Sequence, residues 1–290
     1  MKIKKTHTHW NWARRLTAAG FLVLLWAGRS GQWSFFKGST TASETMEKLP
    51  LVDPLAALEV ALAQRSLAGD LWLGAGILMG VALLLGPIFC GWICPLGFLM
   101  DLTQSLRGLL QRHALKKRCN WPDWGLPAGF RGAVLIGTLA FALVAQVPLF
   151  QALSPIHMVA RVLLFTVDTT ALVVLGLLAL ELGAPRIWCR SLCPLGATYS
   201  ILGRFARLRV RVDPERAGQI RCSRCDVACP MGIRVMEDYT LAGQNSISDP
   251  ACTRCGACID TCPNSVLHLG VRETKGVTTP ESCDHCVASK

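Results

Sequence analysis

The sequence predicts a helical membrane protein with four transmembrane helices and a small α+β domain at its C-terminal end. Three observations lead to this fold class. The chain is 51% hydrophobic and only 17% charged, whereas soluble globular proteins average about 25% charged residues. The apolar residues are concentrated in long runs in the first two thirds of the chain. The 14 cysteines stand mostly in short-spaced groups, which disfavours a purely soluble enzyme.

Four apolar stretches have about the 20 residues that a helix needs to cross a bilayer. They run roughly from Trp12 to Phe36, from Leu71 to Cys90, from Ala133 to Phe150 and from Val162 to Ala184. The first stretch could also be a cleaved signal peptide, because basic residues precede a 13-residue apolar run. No A-x-A cleavage pattern follows that run, so we favour the helix.

Basic residues are concentrated on one side of these predicted helices. Residues 1 to 15, 93 to 131 and 186 to 211 contain 17 Lys and Arg, whereas the loop 37 to 70 contains three and the loop 151 to 161 one. By the positive-inside rule, the more basic side is cytoplasmic. We therefore expect a multi-pass membrane protein with both chain ends and the C-terminal domain in the cytoplasm.

The formal net charge of +11 does not indicate a nucleic-acid partner. Residues 212 to 290 hold 8 basic against 10 acidic residues, so the positive charge belongs to the apolar two thirds of the chain. This distribution is typical of a membrane protein. We expect the membrane, and no nucleic acid, as a partner.

The C-terminal cysteines have the spacing of an iron–sulfur protein. Cys252, Cys255, Cys258 and Cys262, followed by Pro263, form the run C-x2-C-x2-C-x3-C-P. In this run the first three thiolates bind one cluster and the fourth binds its neighbour. Zinc sites also use C-x2-C pairs, but the complete run favours [4Fe-4S]. We predict that residues 212 to 290 form a two-cluster ferredoxin-like domain.

A partial copy of this run stands at Cys222, Cys225 and Cys229. Because the fourth cysteine of each run crosses over, two ligand sets are expected. One [4Fe-4S] cluster would be bound by Cys229, Cys252, Cys255 and Cys258, and the second cluster by Cys222, Cys225 and Cys262.

The second set lacks one ligand, because Gln219 occupies the first position of the partial run. Three explanations remain open. The site could hold a [3Fe-4S] cluster, Cys283 or Cys286 could complete a [4Fe-4S] site, or the cluster could be lost in this protein. We favour a ligand from the C-terminal pair.

Two further cysteine pairs have almost the same sequence. Cys90 and Cys94, and likewise Cys189 and Cys193, form C-x3-C-P-L-G, each after a predicted inward-running helix. Internal repeats of this kind bring matching motifs together in space. The four thiols could bind a metal or cluster, act as a thiol–disulfide relay, or be small buried side chains. A permanent disulfide is disfavoured on the reducing side of the membrane. These pairs lie in the predicted membrane domain, residues 1 to 211.

With these features, the chain resembles the membrane-bound ferredoxin-type proteins of bacterial respiration and methylamine utilization, the NapH/MauN family. The resemblance implies a bacterial inner-membrane protein that transfers electrons between the quinone pool and a periplasmic or membrane redox partner, a ferredoxin-type protein or a cytochrome. It also raises a role as a quinol dehydrogenase component, which the sequence leaves undecided against a simple electron carrier. The NapH pattern has a fourth cysteine in the first run, so its absence here favours a methylamine-type or uncharacterised relative.

A quinol site requires ionisable groups at membrane depth. His157, Arg161 and Asp168 lie near the predicted outer face and are the candidates for this site; the alternative is that they are an interfacial charge pair and a loop histidine. Haem is not expected, because no histidine lies inside a predicted span and no C-x-x-C-H motif is present. An alternative function is electron donation, or a redox role, in the maturation of a periplasmic enzyme.

Overall fold

The computed structural model describes residues 9–29, 36–38, 42–45, 49–65, 69–114, 130–164, 169–183, 185–213 and 222–271. These parts are mostly helical. The helices are α1 (His9–Arg29), α2 (Pro54–Gln64), α3 (Gly69–Leu85), α4 (Ile88–Trp92), α5 (Pro95–Ala114), α6 (Phe130–Ala145), α7 (Leu149–Leu153), α8 (Pro155–Leu164), α9 (Thr170–Gly183), α10 (Pro194–Gly203), α11 (Arg224–Ala228) and α12 (Ala257–Thr261). Two π-helical turns cover Trp188–Leu192 and Met236–Thr240.

The strands form two small antiparallel sheets. β1 (Phe36–Gly38), β2 (Ala42–Thr45) and β3 (Leu49–Val52) are paired in chain order. β4 (Leu208–Val212) pairs with β5 (Leu267–Val271), with Val210 opposite Leu269. The predicted domain boundary between residues 211 and 212 therefore falls inside β4, which is paired with a strand of the cysteine-rich module, residues 208 to 271.

The prediction of four transmembrane helices is wrong for the part of the chain that the structure describes. No helix in that part is both long enough and apolar enough to cross a bilayer. The predicted span Val162 to Ala184 covers the last residues of α8, described up to Leu164, and α9 from Thr170, while its residues 165–168 lie outside the described part. The predicted span Ala133 to Phe150 ends early, since α6 stops at Ala145.

The other two predicted spans correspond to α3 and α1, which differ from the predicted helices in their ends. α3 ends at Leu85, where Gly86 has a φ of 82° and Pro87 follows. A positive φ is readily adopted only by glycine, and proline cannot continue the helix. α1 has 21 residues, but it includes Arg14 and Arg15 and ends at Arg29, before a short β-sheet.

The helices pack around a buried apolar core. Leu55 of α2, Leu96 and Met100 of α5, Val159 of α8 and Leu195 of α10 are at most 1% exposed. They belong to one cluster that also includes Cys94 and Cys193. The two Pro-Leu-Gly segments after the cysteine pairs therefore insert their leucines into a common core, which brings the two repeats together.

A buried ion group ties α1 and α5 to the chain before the second cysteine pair. Asp101 accepts from Arg14 at 2.7 Å and from the guanidinium of Arg186. All three side chains are at most 7% exposed. Two positive charges share one carboxylate, so this group carries a net positive charge inside the protein.

The cysteine-rich module packs against the start of α1. Asp260 in α12 accepts from the backbone amides of Trp10 and Asn11, at 3.2 and 2.9 Å. These amides are among the unpaired donors of the first helical turn, where a carboxylate is also favoured by the helix dipole. Trp10 makes an edge contact with Trp92 of α4 at 6.0 Å between ring centroids. The module is therefore fixed to the helical part.

We predict that Asp101→Asn lowers the free energy of unfolding by about 3–5 kcal/mol, because it leaves buried guanidinium charge without its counter-charge. Denaturant unfolding of the purified protein measures the change. The matched control is Asp238→Asn, which removes a 3.4 Å ion pair with Arg234 between exposed side chains. That control should lower the free energy of unfolding by less than about 1 kcal/mol. Equal effects of the two substitutions would contradict the role of Asp101.

Candidate functional site: three cysteine cavities

The two C-x3-C-P pairs adopt similar local structures. Cys94 follows α4 and Pro95 starts α5, while Cys193 follows the π-helical turn and Pro194 starts α10. Proline is favoured at the first helical position, since its missing N–H needs no partner there. The Sγ of Cys193 caps α10 by accepting from the backbone N–H of Gly196 at 3.3 Å. Each second cysteine therefore stands at a helix N-terminus, where thiolate charge is favoured.

All four of these cysteines line one cavity, which we call the twin-cysteine cavity. Its wall comes from both repeats, and also includes two arginines and residues of the C-terminal module. The lining residues that matter here are Cys90, Cys94, Cys189, Cys193, Arg131, Arg186, Met231 and Thr253. The structure thus brings together the two motifs that the sequence repeats about a hundred residues apart.

The module contains two further cysteine cavities. The inner cavity is lined by Cys229, Cys252, Cys255 and Cys258, and the outer cavity by Cys222, Cys225 and Cys262. These are the two sets proposed from the crossover of the fourth cysteine. Cys258 lies inside α12 and Cys262 directly follows this helix. The two cysteines, four positions apart, line different cavities.

The twin-cysteine cavity and the inner cavity are adjacent. Met231 and Thr253 line both of them. Gly91 in α4 lies against Thr253 so closely that a Cβ there would be 3.0 Å from the Thr253 carbonyl oxygen. A side chain at position 91 would push the module away, so glycine permits the short separation between the two cavities.

Burial controls the electrostatics of the cysteines. It raises the pKa of Cys94, Cys189 and Cys252 to about 12 each, and that of Cys193 to about 11. Arg186 acts against burial at Cys94 and Cys189. At neutral pH these thiols stay protonated unless a cation replaces the protons, so metal binding would release protons.

The donor sets fit iron–sulfur clusters. The twin-cysteine and inner cavities each present four sulfur ligands, which are the ligands of a [4Fe-4S] cluster. Among the described residues, no three His, Cys, Asp or Glu side chains are grouped around a single ion position. Thiolates of a cubane bind different iron atoms and so stand further apart than the ligands of one ion.

Several residues predicted for the sites lie elsewhere or outside the described residues. Cys283 and Cys286 are outside, so the fourth ligand of the outer cavity stays a prediction. Asp168 is outside as well. His157 is half-buried and Arg161 is exposed, one turn apart on α8. The helix expected to join Arg161 and Asp168 ends at Leu164.

Asp226 stands next to Cys225, with its Oδ1 3.8 Å from the Cys225 Sγ. Its Oδ1 accepts from the backbone N–H of Met236 at 2.7 Å. This bond gives the carboxylate a structural role in holding the second π-helical turn.

Sequence reasoning missed Arg186 and Arg254, two buried arginines beside the cavities. Arg186 contacts Asp101, and Arg254 donates three hydrogen bonds to backbone carbonyls. Their sequence signal is weak, because Arg186 counts among the basic residues of the predicted cytoplasmic side and Arg254 stands in a segment with a slight acidic excess. The sequence offers one indication of their role. Each arginine stands within three positions of a ligand cysteine.

Two iron–sulfur family models match the parts of the chain that contain the cysteine motifs. A family model described as "4Fe-4S binding domain" matches residues 68–113 and 169–212, which are the two C-x3-C-P repeats. A "4Fe-4S dicluster domain" matches residues 220–267, the cysteine-rich module. No solved structure matches the chain.

Relatives cover almost the whole chain. The "Ferredoxin-type protein NapH" of Haemophilus influenzae is 30% identical over 93% of this chain and 95% of its own length. The "Methylamine utilization ferredoxin-type protein MauN" of Methylorubrum extorquens is 30% identical over 92% of this chain and 91% of its own. The chain belongs to the NapH/MauN family of ferredoxin-type proteins. The two 4Fe-4S family models and this membership together identify the chain as an iron–sulfur electron-transfer protein.

In this NapH/MauN-type protein, we predict that Cys229→Ser alters the same cluster as Cys252→Ser, while Cys262→Ser alters the other one. The reason is that Cys229 shares the inner cavity with Cys252, whereas Cys262 lines the outer cavity. Low-temperature EPR of the anaerobically purified, reduced variants distinguishes the two signals. If Cys262→Ser instead changed the signal that Cys252→Ser changes, the assignment of cysteines to cavities would be wrong.

Proposed function

We propose that this protein passes electrons between the quinone pool and a redox partner, with quinol oxidised at the twin-cysteine cavity. The observation that carries the proposal is the order of the three cavities. The twin-cysteine cavity lies within the apolar helices, and the inner cavity adjoins it through Met231 and Thr253. The outer cavity neighbours the inner one, since Cys225 of the outer set lies close enough to Cys258 of the inner set for their charges to interact.

Iron–sulfur clusters at these cavities supply one-electron redox chemistry. The chain's own residues set the conditions for it. Arg186 and Arg131 line the twin-cysteine cavity, and their positive charge favours thiolate ligands and added negative charge there. Arg186 also lies close enough to Cys255 for the two charges to interact. It therefore favours electron density on both sides of the wall between the cavities.

We further propose that the protein is anchored to the bacterial inner membrane, with both chain ends and the cysteine cavities on the cytoplasmic side. Large apolar side chains are exposed along α3, α6 and α9, including Leu73, Ile77, Ile136, Val144, Leu172 and Leu175. Extended exposed apolar surface marks contact with lipid or another protein. The basic residues concentrated in the stretches 93 to 131 and 186 to 211 suit anionic lipid headgroups.

The names of the relatives support a partner in a respiratory or methylamine system. One is a NapH and the other a protein of methylamine utilization. We propose a periplasmic or membrane partner of the ferredoxin or cytochrome type. The partner would set the quinone type. For the direction of electron flow, we propose only that quinol is oxidised.

The first test is reduction by quinol. Anaerobic addition of a soluble naphthoquinol or benzoquinol to the purified protein should bleach the visible absorbance of its clusters. Dithionite reduction of the same sample gives the full amplitude. A spectrum that dithionite changes and both quinols leave unchanged would contradict the proposed function and favour electron supply for enzyme maturation.

The second test asks where electrons enter. We predict that Cys189→Ser lowers the rate of quinol-driven reduction of the module clusters at least about tenfold, because it removes a ligand from the twin-cysteine cavity. Dithionite should still reduce the module clusters, since the inner and outer cavities keep their cysteines. Cys119→Ser is the matched control, as Cys119 belongs to none of the cysteine groups. An unchanged rate in Cys189→Ser would exclude this entry point.

A further inference from the structure

Two buried carboxylic acids, one just before α2 and one within it, have no role in binding clusters, and the first lies close enough to Tyr199 for its charge to act there. Asp53 is 1% exposed and Glu59 is completely buried. Asp53 caps α2, since its Oδ1 accepts from the backbone N–H of Ala56 at 2.7 Å. Its Oδ2 and both oxygens of Glu59 lack a hydrogen bond of ordinary length to the described residues, although the Gln151 amide near Asp53 and the Phe150 and Gln151 backbone near Glu59 lie close enough to lower the two pKa values. Unpaired carboxyl oxygens in such a position are costly, which calls for a functional explanation.

The surroundings of this pair are mostly apolar. α2 packs against α3, α6 and α10, and Leu71 and Ala75 of α3 contact its buried face. The charged residues in the sequences of these three helices are Asp70 and Arg131, and Arg131 lines the twin-cysteine cavity. No described cation is ion-paired with Asp53 or Glu59.

The other ionisable and polar groups near the pair lie on α7, α8 and α10. The Gln151 amide approaches Asp53. The backbone at Phe150 and Gln151 approaches Glu59, and the Gln151 backbone also lies beside the imidazole of His157. Gln151 and His157 are half-buried, so they connect the buried pair with the surface of the protein.

Tyr199 links the pair to the cysteines. Its ring stacks on Phe89, with the centroids 5.6 Å apart and the planes at 27°, and Phe89 lines the twin-cysteine cavity. Burial raises the pKa of the Tyr199 phenol, and negative charge at Asp53, Cys90 and Cys94 raises it further. The phenol therefore lies near Asp53 and the first cysteine pair.

The two acids can change protonation near neutral pH. Burial raises the pKa of Asp53 to about 6 and that of Glu59 to about 7, and the charge of Asp53 adds to the rise at Glu59. A proton acceptor works best when its pKa is close to the working pH. The pair thus has both the position and the chemistry of a proton store.

We propose that Asp53 and Glu59 accept the two protons released when quinol is oxidised at the twin-cysteine cavity. This inference rests on the proposed function. Oxidation breaks two O–H bonds of the quinol; the two electrons would leave one at a time to iron–sulfur clusters, which the cysteines of the twin-cysteine and inner cavities would hold. The protons pass by Tyr199 to Asp53 and Glu59, and quinone is the product. Gln151 and His157 then mark the exit to the surface.

The test compares Glu59→Gln with the wild-type holoprotein, using the soluble naphthoquinol. We expect the rate of cluster reduction to fall about a hundredfold, the loss typical of a missing general base. The wild-type rate should decline as pH falls through about 7, because protonated Glu59 cannot accept a proton. The variant should lack this decline. Glu59→Asp should restore part of the rate, and Glu237→Gln, at an exposed site in the module, should leave it unchanged.

An infrared difference spectrum gives a readout that does not depend on rate. Quinol-driven reduction of the wild type should produce a protonated-carboxyl band that Glu59→Gln removes, while dithionite-reduced EPR signals stay the same in both proteins. If quinol reduces wild type and Glu59→Gln equally fast, with the same pH profile and carboxyl band, this inference is overturned and the proposed function stands. If quinol does not reduce the wild type at all, both are overturned.

Discussion

The hydrogen bonds of Arg254 are the interaction on which the arrangement of the three cavities depends. Its Nε donates to the Leu208 carbonyl at 2.6 Å, its Nη1 to Cys252 at 3.1 Å and its Nη2 to Gly203 at 3.0 Å. A guanidinium has five N–H donors in a fixed plane, so one side chain can hold three backbone segments. Here it joins the ligand loop of the inner cavity to β4 and to the end of α10.

The helical part is shaped to accept this arginine. Gly86 has no side chain where the guanidinium lies, and a Cβ at that position would overlap it. The same glycine ends α3 through its positive φ, so one residue both terminates a helix and makes room for the module. Thr253, next to Arg254, then reaches the wall of the twin-cysteine cavity. The adjacency of the twin-cysteine and inner cavities thus follows from local backbone geometry.

The sequence predicted the chemistry of the sites better than the helices that hold them. The run Cys252 to Cys262 has a spacing that thiolate coordination requires, so its cavities could be anticipated. Apolar runs were a poorer guide to helix length, because Gly86 ends α3 and α6 stops at Ala145, whereas hydropathy alone continues through both points. Helix α2 has local sequence features that suit a helix, with Leu55, Leu58 and Leu62 at helical spacing and Asp53 as its cap.

The functional residues that sequence could not reveal are those defined by tertiary contacts. Arg186 and Arg254 look like surface charges until their partners are known, since those partners are distant in the chain. Glu59 was hidden for the same reason: nothing in its neighbourhood of the sequence shows that α2 is enclosed by three other helices. Burial decides the chemistry of such groups, and burial is a property of the fold.

The central claim is that the twin-cysteine cavity and the module form one redox unit. The most direct measurement is EPR of the fully reduced protein at low temperature, comparing wild type with Cys189→Ser. The account predicts a third cluster signal in the wild type, coupled magnetically to the inner-cavity cluster, and loss of both the signal and the coupling in the variant. Identical spectra, each the sum of module clusters alone, would contradict it.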